Sequence, residues 1–128
     1  MTFPNNWIMA VAGLLGFLGV ALGAFGAHAL KATLEAHASV DTWRTAVLYQ
    51  LVHAVGLLAL SAARGPLAGA AVPVAWCWLA GVVFFSGSLY WLALGGPKSL
   101  GPVTPLGGLC LLAGWLLVIR LAWSRAVA

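Results

Sequence analysis

The sequence predicts an all-α fold, an integral membrane four-helix bundle with short loops. Of its 128 residues, 63% are hydrophobic and only 6% are charged. A soluble domain carries about 25% charged residues, so lipid is the expected main solvent. The apolar residues are grouped into four stretches, each near the roughly 20 residues that a helix needs to cross a bilayer. Because a backbone in lipid must satisfy its own hydrogen bonds, we expect each stretch to be a helix.

We expect a single transmembrane domain over residues 1–128, with spans near 7–30, 43–63, 72–94 and 106–123. The first span begins at Trp7, carries no charge and ends before Lys31. A cleaved signal peptide is the competing interpretation, because Ala27-His28-Ala29 has the form of a cleavage site. No Lys or Arg precedes Trp7, however, and the run exceeds the roughly 7–15 apolar residues of a signal core. A retained span is therefore favoured.

Glycines recur along the first span at steps of three, three, four and three residues. Such steps place all of them on one stripe of a helix. Small residues let two helix backbones approach closely in lipid. The stripe therefore predicts a tight packing seam, either within the fold or between subunits, formed by Gly13, Gly16, Gly19, Gly23 and Gly26.

The segments between the spans are short. Residues 31–38 are expected to form a short interfacial helix, and Ser39 or Asp41 is expected to cap the next helix. The second span closes at residues 64–66, and the third is entered through Pro73. The Gly/Pro-rich segment 95–105 is predicted to be non-helical. An aromatic belt at the span ends is expected from Trp7, Trp43, Trp91 and Trp123.

Four spans place residues near both ends of the chain on one side of the membrane. Three basic residues fall on each side, so charge does not decide the orientation, and we favour termini in the cytoplasm. The two cysteines, Cys77 and Cys110, lie toward opposite membrane faces. A disulfide needs Cα atoms within about 7 Å, so free thiols are expected.

Uncharged polar side chains gather in the half of the bundle nearest segments 31–42 and 95–105. Tyr49, Gln50 and His53 share one helix face, because they lie three and four residues apart. Polar groups at membrane depth usually face the bundle interior. The pattern predicts either an internal hydrogen-bond network that locks the helices together or a ligand or proton site, lined by His28, Tyr49, Gln50, His53, Ser86, Ser88, Tyr90 and Thr104. Ser88 lies nearly opposite Ser86, so only part of the set can point to one spot.

Several chemistries are disfavoured by spacing. His28, His37 and His53 do not converge, and motifs such as C-x-x-C are absent, so no metal or other cofactor is expected. No Asp or Glu lies within a span, and a pairing of Ser86 with His53 would lack an orienting acid. No catalytic residue is therefore expected. The basic residues are scattered, unlike the clustered footprint of a nucleic-acid binder, so no nucleic-acid partner is expected.

Four blocks of the sequence resemble a known family. They are Gly23 to Leu30 (GAFGAHAL), Trp43 to Ala54 with Thr45, Tyr49, Gln50 and His53, Phe85 to Tyr90 (FSGSLY), and Gly101 to Gly108 followed by Gly114-Trp115. Together they resemble the small bacterial inner-membrane proteins of the domain of unknown function 423 family, which is related to eukaryotic transmembrane protein 256. The resemblance implies a protein of about four helices in the bacterial cytoplasmic membrane and implies no particular activity.

The leading expectation is a non-enzymatic membrane protein. It would be a structural or accessory subunit, or a binder of a small hydrophobic molecule such as a lipid or quinone at the polar cluster. A transporter or proton-coupled channel that uses His53, Tyr49 and Gln50 is the alternative. A membrane enzyme built on His28, His53 and Ser86 ranks third. The expected partners are membrane lipids, with a homo-oligomer or a larger membrane complex left open.

Overall fold

The computed structural model describes residues 5–126, with side chains described through residue 123. Every long element in this part of the chain is helical. The bounds are α1 Asn6–Ala27, α2 Lys31–Ala36, α3 Val40–Ser61, α4 Pro66–Ala93 and α5 Val103–Ala126, with a short 3-10 helix at Lys98–Leu100 between α4 and α5. In the described residues, four segments are long and apolar enough to cross a membrane: α1, α3, α4 and Lys98–Trp123, which includes most of α5. The predicted all-α fold with four spans is confirmed.

The long helices follow one another in space as they do along the chain. The main interfaces join α1 to α3, α3 to α4, and α4 to α5. Residues 28–39 and 94–102 lie at one end of the bundle, called here the loop end. The opposite end, called the terminal end, holds Asn5 and the turn at 62–65. A polar side chain on α3 can therefore reach α1 on one side and α4 on the other.

The core consists of two groups of buried side chains. The larger group draws on all four long helices and includes Ile8, Leu15, Leu57, Trp78 and Leu111. A smaller group at the loop end joins Leu34 of α2, Trp43 of α3 and Ala93 of α4. Leu34 thus anchors the short helix α2 to the bundle, because its apolar side chain is removed from solvent there.

The helix α4 begins at Pro66, six residues before the predicted start of the third span at 72. Pro66 occupies the first helical turn, where proline's missing N–H would have no partner in any case. Pro73, expected at the entrance of the span, lies inside the helix instead. Membrane helices tolerate such a proline, because neighbouring groups satisfy the carbonyl that it leaves free.

The segment 95–105 is partly helical, so the prediction of a wholly non-helical turn is wrong. Lys98–Leu100 forms a 3-10 helix, and α5 begins at Val103 rather than near 106. Pro105 is the third residue of α5. The first four N–H groups of a helix have no intrahelical partner, so a proline there removes no helical hydrogen bond.

The polar segment 31–42 forms α2 over Lys31–Ala36, within the predicted range of 31–38. The expected side-chain cap at Ser39 is wrong. Ser39 precedes α3 without a side-chain capping bond, and its hydroxyl donates to the Ala93 carbonyl at 2.6 Å. Asp41 lies in the first turn of α3, where its negative charge stabilises the helix by interacting with the positive end of the helix dipole. Cys77 and Cys110 are both free thiols.

Candidate functional site

Gln50 connects three helices in the interior of the bundle. Its side chain is only 3% exposed. Its Nε2 donates to the Leu15 carbonyl of α1 at 2.8 Å, and its Oε1 accepts from the Tyr90 hydroxyl of α4 at 2.8 Å. Both ends of the amide are therefore bonded, which removes most of the penalty for placing an amide in an apolar interior.

The two serines of α4 point to different helices. Ser86 Oγ donates to the Ala46 carbonyl of α3 at 2.8 Å. Ser88 Oγ donates to the Phe85 carbonyl at 3.0 Å and lies 2.7 Å from the Thr104 Oγ1 of α5. Ser86 therefore links α4 to α3 and Ser88 links α4 to α5, as their opposite positions on the helix require.

His53 is buried, and both of its ring nitrogens have partners. Its Nδ1 lies 2.7 Å from the Tyr49 carbonyl, and the Trp115 Nε1 donates to its Nε2 at 3.1 Å. A carbonyl oxygen only accepts, and an indole N–H only donates. The two contacts together therefore assign a neutral imidazole that carries its proton on Nδ1.

Two members of the predicted set lie away from the interior. His28 follows the last residue of α1 and is exposed, because the helix ends at Ala27 and does not carry His28 inward. Tyr49 is 40% exposed at the edge of the bundle, where its ring lies 4.5 Å from that of Phe85. The structure thus brings Gln50 and Tyr90 together and places His53, Ser86 and the Ser88–Thr104 pair in separate contacts.

Some polar contacts were missed by the sequence prediction. Trp43 was expected in the aromatic belt, but it is 3% exposed, and its Nε1 donates to the Leu22 carbonyl at 2.8 Å. Gly26 makes this possible, because a Cβ there would occupy the position of the indole. Asn5 Nδ2 donates to the Ala68 carbonyl at 3.2 Å. Sequence spacing does not reveal either contact.

The glycine stripe of α1 divides into two parts. Gly19, Gly23 and Gly26 face α3 of the same chain, where a Cβ on Gly19 would lie 2.6 Å from Leu51 Cδ2. Gly13 and Gly16 have no atom within 4 Å of a Cβ built on them. The loop-end half of the stripe is therefore a packing seam within the fold.

A cleft opens beside these contacts at the loop end, between α1, α2 and α3. Its volume is about 440 Å³. The inner wall is apolar and includes Gly23, Val47 and Leu51, and the rim carries the charged side chains of Lys31, Glu35 and Arg44. Lys31 Nζ lies 3.9 Å from Glu35 Oε1, and Arg44 Nη1 lies 3.6 Å from Asp41 Oδ1, with all four side chains largely exposed.

A second groove of about 390 Å³ lies toward the terminal end, between α3, α4 and α5. Small and aromatic residues line it, among them Gly56, Ala59, Trp78 and Trp115. No charged side chain is among its lining residues, so it lacks the amphiphilic character of the loop-end cleft. Over residues 5–126, no group of three His, Cys, Asp or Glu side chains is placed to hold a metal ion.

The fold and its buried polar contacts define a small multi-pass helical membrane protein. The chain belongs to the family described as "Protein of unknown function (DUF423)", whose model matches residues 22–108. This match confirms the resemblance carried by the four sequence blocks. No solved structure matches the chain.

The relatives of the chain are bacterial membrane proteins by name. A UPF0382 membrane protein of Staphylococcus haemolyticus is 42% identical over 106 residues, covering 83% of this chain and 86% of that protein. The UPF0382 inner membrane protein YgdD of Escherichia coli K12 is 39% identical over 120 residues, covering 90% and 88%. Neither name specifies a reaction. With its four spans, the chain is a multi-pass protein of the bacterial inner membrane.

Proposed function

We propose that this protein is a non-catalytic membrane protein that binds one amphiphilic lipid molecule in the loop-end cleft. The observation that carries the proposal is the pairing of an apolar wall at Gly23, Val47 and Leu51 with a charged rim at Lys31, Glu35 and Arg44. A membrane lipid has the same division between an apolar chain and a polar headgroup. The cleft volume of about 440 Å³ also falls within the range of about 300–1,000 Å³ typical of small-molecule sites.

The buried polar side chains support this function by holding the walls of the cleft in place. Gln50 and Trp43 both donate from α3 to carbonyls of α1, at 2.8 Å in each case. These two bonds, at the loop end and near the middle of the helices, fix the distance between the helices that border the cleft. Hydrogen bonds between membrane helices contribute about 0.6 kcal/mol each on average.

A proton path through His53, Tyr49 and Gln50 receives less support. Gln50 bonds to Leu15 and Tyr90, and His53 bonds to the Tyr49 carbonyl and to Trp115. A relay requires partners that exchange protons, whereas a backbone carbonyl and an indole N–H do not do so near neutral pH. These contacts favour a structural role for the polar residues.

The test is a comparison of two glycine-to-leucine variants. Gly23→Leu places a large side chain in the cleft, where even a Cβ would lie 3.4 Å from Val47 Cγ1. Gly87→Leu is the matched control, because a Cβ on Gly87 meets nothing within 4 Å. Native mass spectrometry of protein extracted with its lipids should show one retained lipid in the wild type and in Gly87→Leu, and less in Gly23→Leu.

A second variant keeps the test valid if Gly23→Leu does not fold. Ala27 lines the same cleft and is exposed, so Ala27→Leu fills the cleft without opening the α1–α3 contact. Equal lipid retention by folded Ala27→Leu and by the wild type would overturn the proposal. So would a wild-type protein that retains no lipid after mild extraction.

A further inference from the structure

We infer that the loop-end cleft recognises the phosphate group of a phospholipid through Lys31 and Arg44. This inference rests on the proposed lipid-binding function and specifies the chemistry of the headgroup. Lys31 opens α2, and Arg44 lies in the second turn of α3. Both residues line the same cleft, and they do so from two different helices.

The two cations are available to a phosphate. Lys31 is paired only with Glu35, and Arg44 only with Asp41, among the ion pairs of the described residues. Each pair lies within one helix at 3.6–3.9 Å, and the two cationic side chains are 66% and 76% exposed. Exposed pairs of this kind are weak, because water competes with each partner. A phosphate entering the cleft can therefore displace the carboxylates of Glu35 and Asp41, because breaking these two ion pairs costs little free energy.

The chemistry of the two side chains fits a phosphate. The guanidinium of arginine presents a planar set of donors that matches two phosphate oxygens, and lysine supplies a compact positive charge. The charged residues that line the cleft are two cations and one acid, Lys31, Arg44 and Glu35. Asp41, the partner of Arg44, does not line the cleft, so the lining residues sum to a positive charge, which favours a headgroup with a negative charge at that position over an uncharged one.

The depth of the rim also fits a phospholipid. Lys31 follows the end of the first span, and Arg44 lies near the beginning of the second. Both cations are thus at the level where a span meets water, and long basic side chains reach the headgroup region from such positions. The apolar wall at Gly23, Val47 and Leu51 lies closer to the middle of the spans, where acyl chains run. Headgroup and chain of one molecule can therefore contact the rim and the wall together.

The experiment compares lipids that share their acyl chains and differ in the headgroup. Delipidated protein is reconstituted with phosphatidylglycerol, phosphatidylethanolamine or diacylglycerol, and binding is measured by native mass spectrometry. Both phosphate-bearing lipids should be retained above diacylglycerol. Retention of phosphatidylglycerol above phosphatidylethanolamine would assign the recognition to net negative charge, and equal retention would assign it to the phosphate alone.

The matched variants are K31Q/R44Q and, as a control with the same change in charge, K98Q/R120Q. Lys98 and Arg120 do not line the cleft. K31Q/R44Q should weaken phospholipid binding by about a hundredfold, because it removes two charge-assisted hydrogen bonds that each contribute about tenfold, and should leave diacylglycerol binding unchanged. The control pair should bind all three lipids as the wild type does. The exposed positions of Lys31 and Arg44 make a folded variant the expected result, to be checked by thermal unfolding.

The outcomes separate this inference from the proposed function. Equal binding of diacylglycerol and phospholipid by the wild type would overturn phosphate recognition while leaving lipid binding intact. Unchanged phospholipid binding by K31Q/R44Q would overturn the assignment of these two residues. No binding of any of the three lipids would overturn the proposed function itself.

Discussion

The hydroxyl oxygen of Tyr90 lies 2.8 Å from the side-chain oxygen of Gln50, in the interior of the bundle. The orientation of the Gln50 amide follows from its other contact, since the Leu15 carbonyl can only accept a hydrogen bond and must face the NH2 group. A chain of two hydrogen bonds therefore runs from α4 through α3 to α1. Gln50 thus bonds to both of the long helices that neighbour α3 in the chain, α1 and α4.

Gln50→Leu should destabilise the protein. The substitution removes both hydrogen bonds and leaves the Tyr90 hydroxyl without its acceptor. We expect the free energy of unfolding to fall by about 1–3 kcal/mol, the range for a buried polar group that loses its hydrogen-bond partner. The measurement is the free energy of unfolding in detergent micelles.

Tyr90→Phe is the control for this substitution, because it removes the hydroxyl donor and keeps the ring beside Trp43, 4.7 Å away between centroids. Tyr90→Phe should lower the free energy of unfolding less than Gln50→Leu does, since the hydrogen bond from Gln50 to Leu15 remains. A Gln50→Leu variant as stable as the wild type would contradict the role of Gln50 in joining the helices.

Gly26→Ala should separate α1 from α3. A Cβ at Gly26 would overlap the indole of Trp43, which also donates to the Leu22 carbonyl at 2.8 Å. Overpacking of this kind lowers stability by about 1–3 kcal/mol. The matched control is Gly13→Ala on the same helix, where a Cβ meets nothing within 4 Å and alanine's better helix propensity should leave stability unchanged or slightly raised. Equal thermal midpoints for the two variants would refute the division of the stripe.

Gly107→Ala should disrupt the contact between α4 and α5 more than Gly26→Ala disrupts its own. A Cβ at Gly107 would lie 2.8 Å from the backbone carbon of Phe84, and a backbone cannot rotate away as a side chain can. Gly108→Ala supplies an adjacent control, since its nearest neighbour would be Phe85 Cδ2 at 3.7 Å, an ordinary contact. Yield of folded protein after detergent extraction should fall for Gly107→Ala alone. Equal folding of both variants would contradict the close approach of the α5 and α4 backbones at Gly107.

His53→Ala should leave proton flux into proteoliposomes unchanged. Both ring nitrogens of His53 are engaged by the Tyr49 carbonyl and the Trp115 indole, which supports a structural role. The same substitution should lower stability, because the Trp115 N–H loses its acceptor and the ring leaves space beside Trp78. Flux is measured with a pH-sensitive dye inside the vesicles, with protein-free vesicles as the baseline. A flux present in the wild type and absent in His53→Ala would establish the transport alternative.

The sequence was sufficient for the four spans and for four of the polar positions that the structure buries, Gln50, His53, Ser86 and Ser88. Apolar stretches of bilayer length and the spacing of Gln50 and His53 depend only on local periodicity, which a sequence displays directly. The partners of these residues could not be predicted. The acceptor of Gln50 is the backbone carbonyl of Leu15, and every residue has a carbonyl, so no sequence pattern marks this one.

The burial of Trp43 could not be predicted from the sequence either. Its position at the start of α3 is typical of an interfacial tryptophan, and its burial depends on Gly26 in another helix. The cleft at the loop end depends on how α1, α2 and α3 are placed relative to one another. These relationships are properties of helix packing and are not visible in the periodicity of any one segment.

The order of the helix contacts has a consequence for biogenesis. The main interfaces join long helices that are consecutive in the chain, α1 with α3, α3 with α4, and α4 with α5. As translation proceeds, α3 can dock on α1, α4 on α3, and α5 on α4. Each of these main interfaces can therefore form as soon as the second of its two helices has been synthesised. Contacts between neighbours in sequence form quickly, because little chain entropy is lost in bringing them together. The bundle can therefore assemble in the bilayer during translation, one helix at a time. The surface on which each new helix docks is already in the membrane when that helix is inserted.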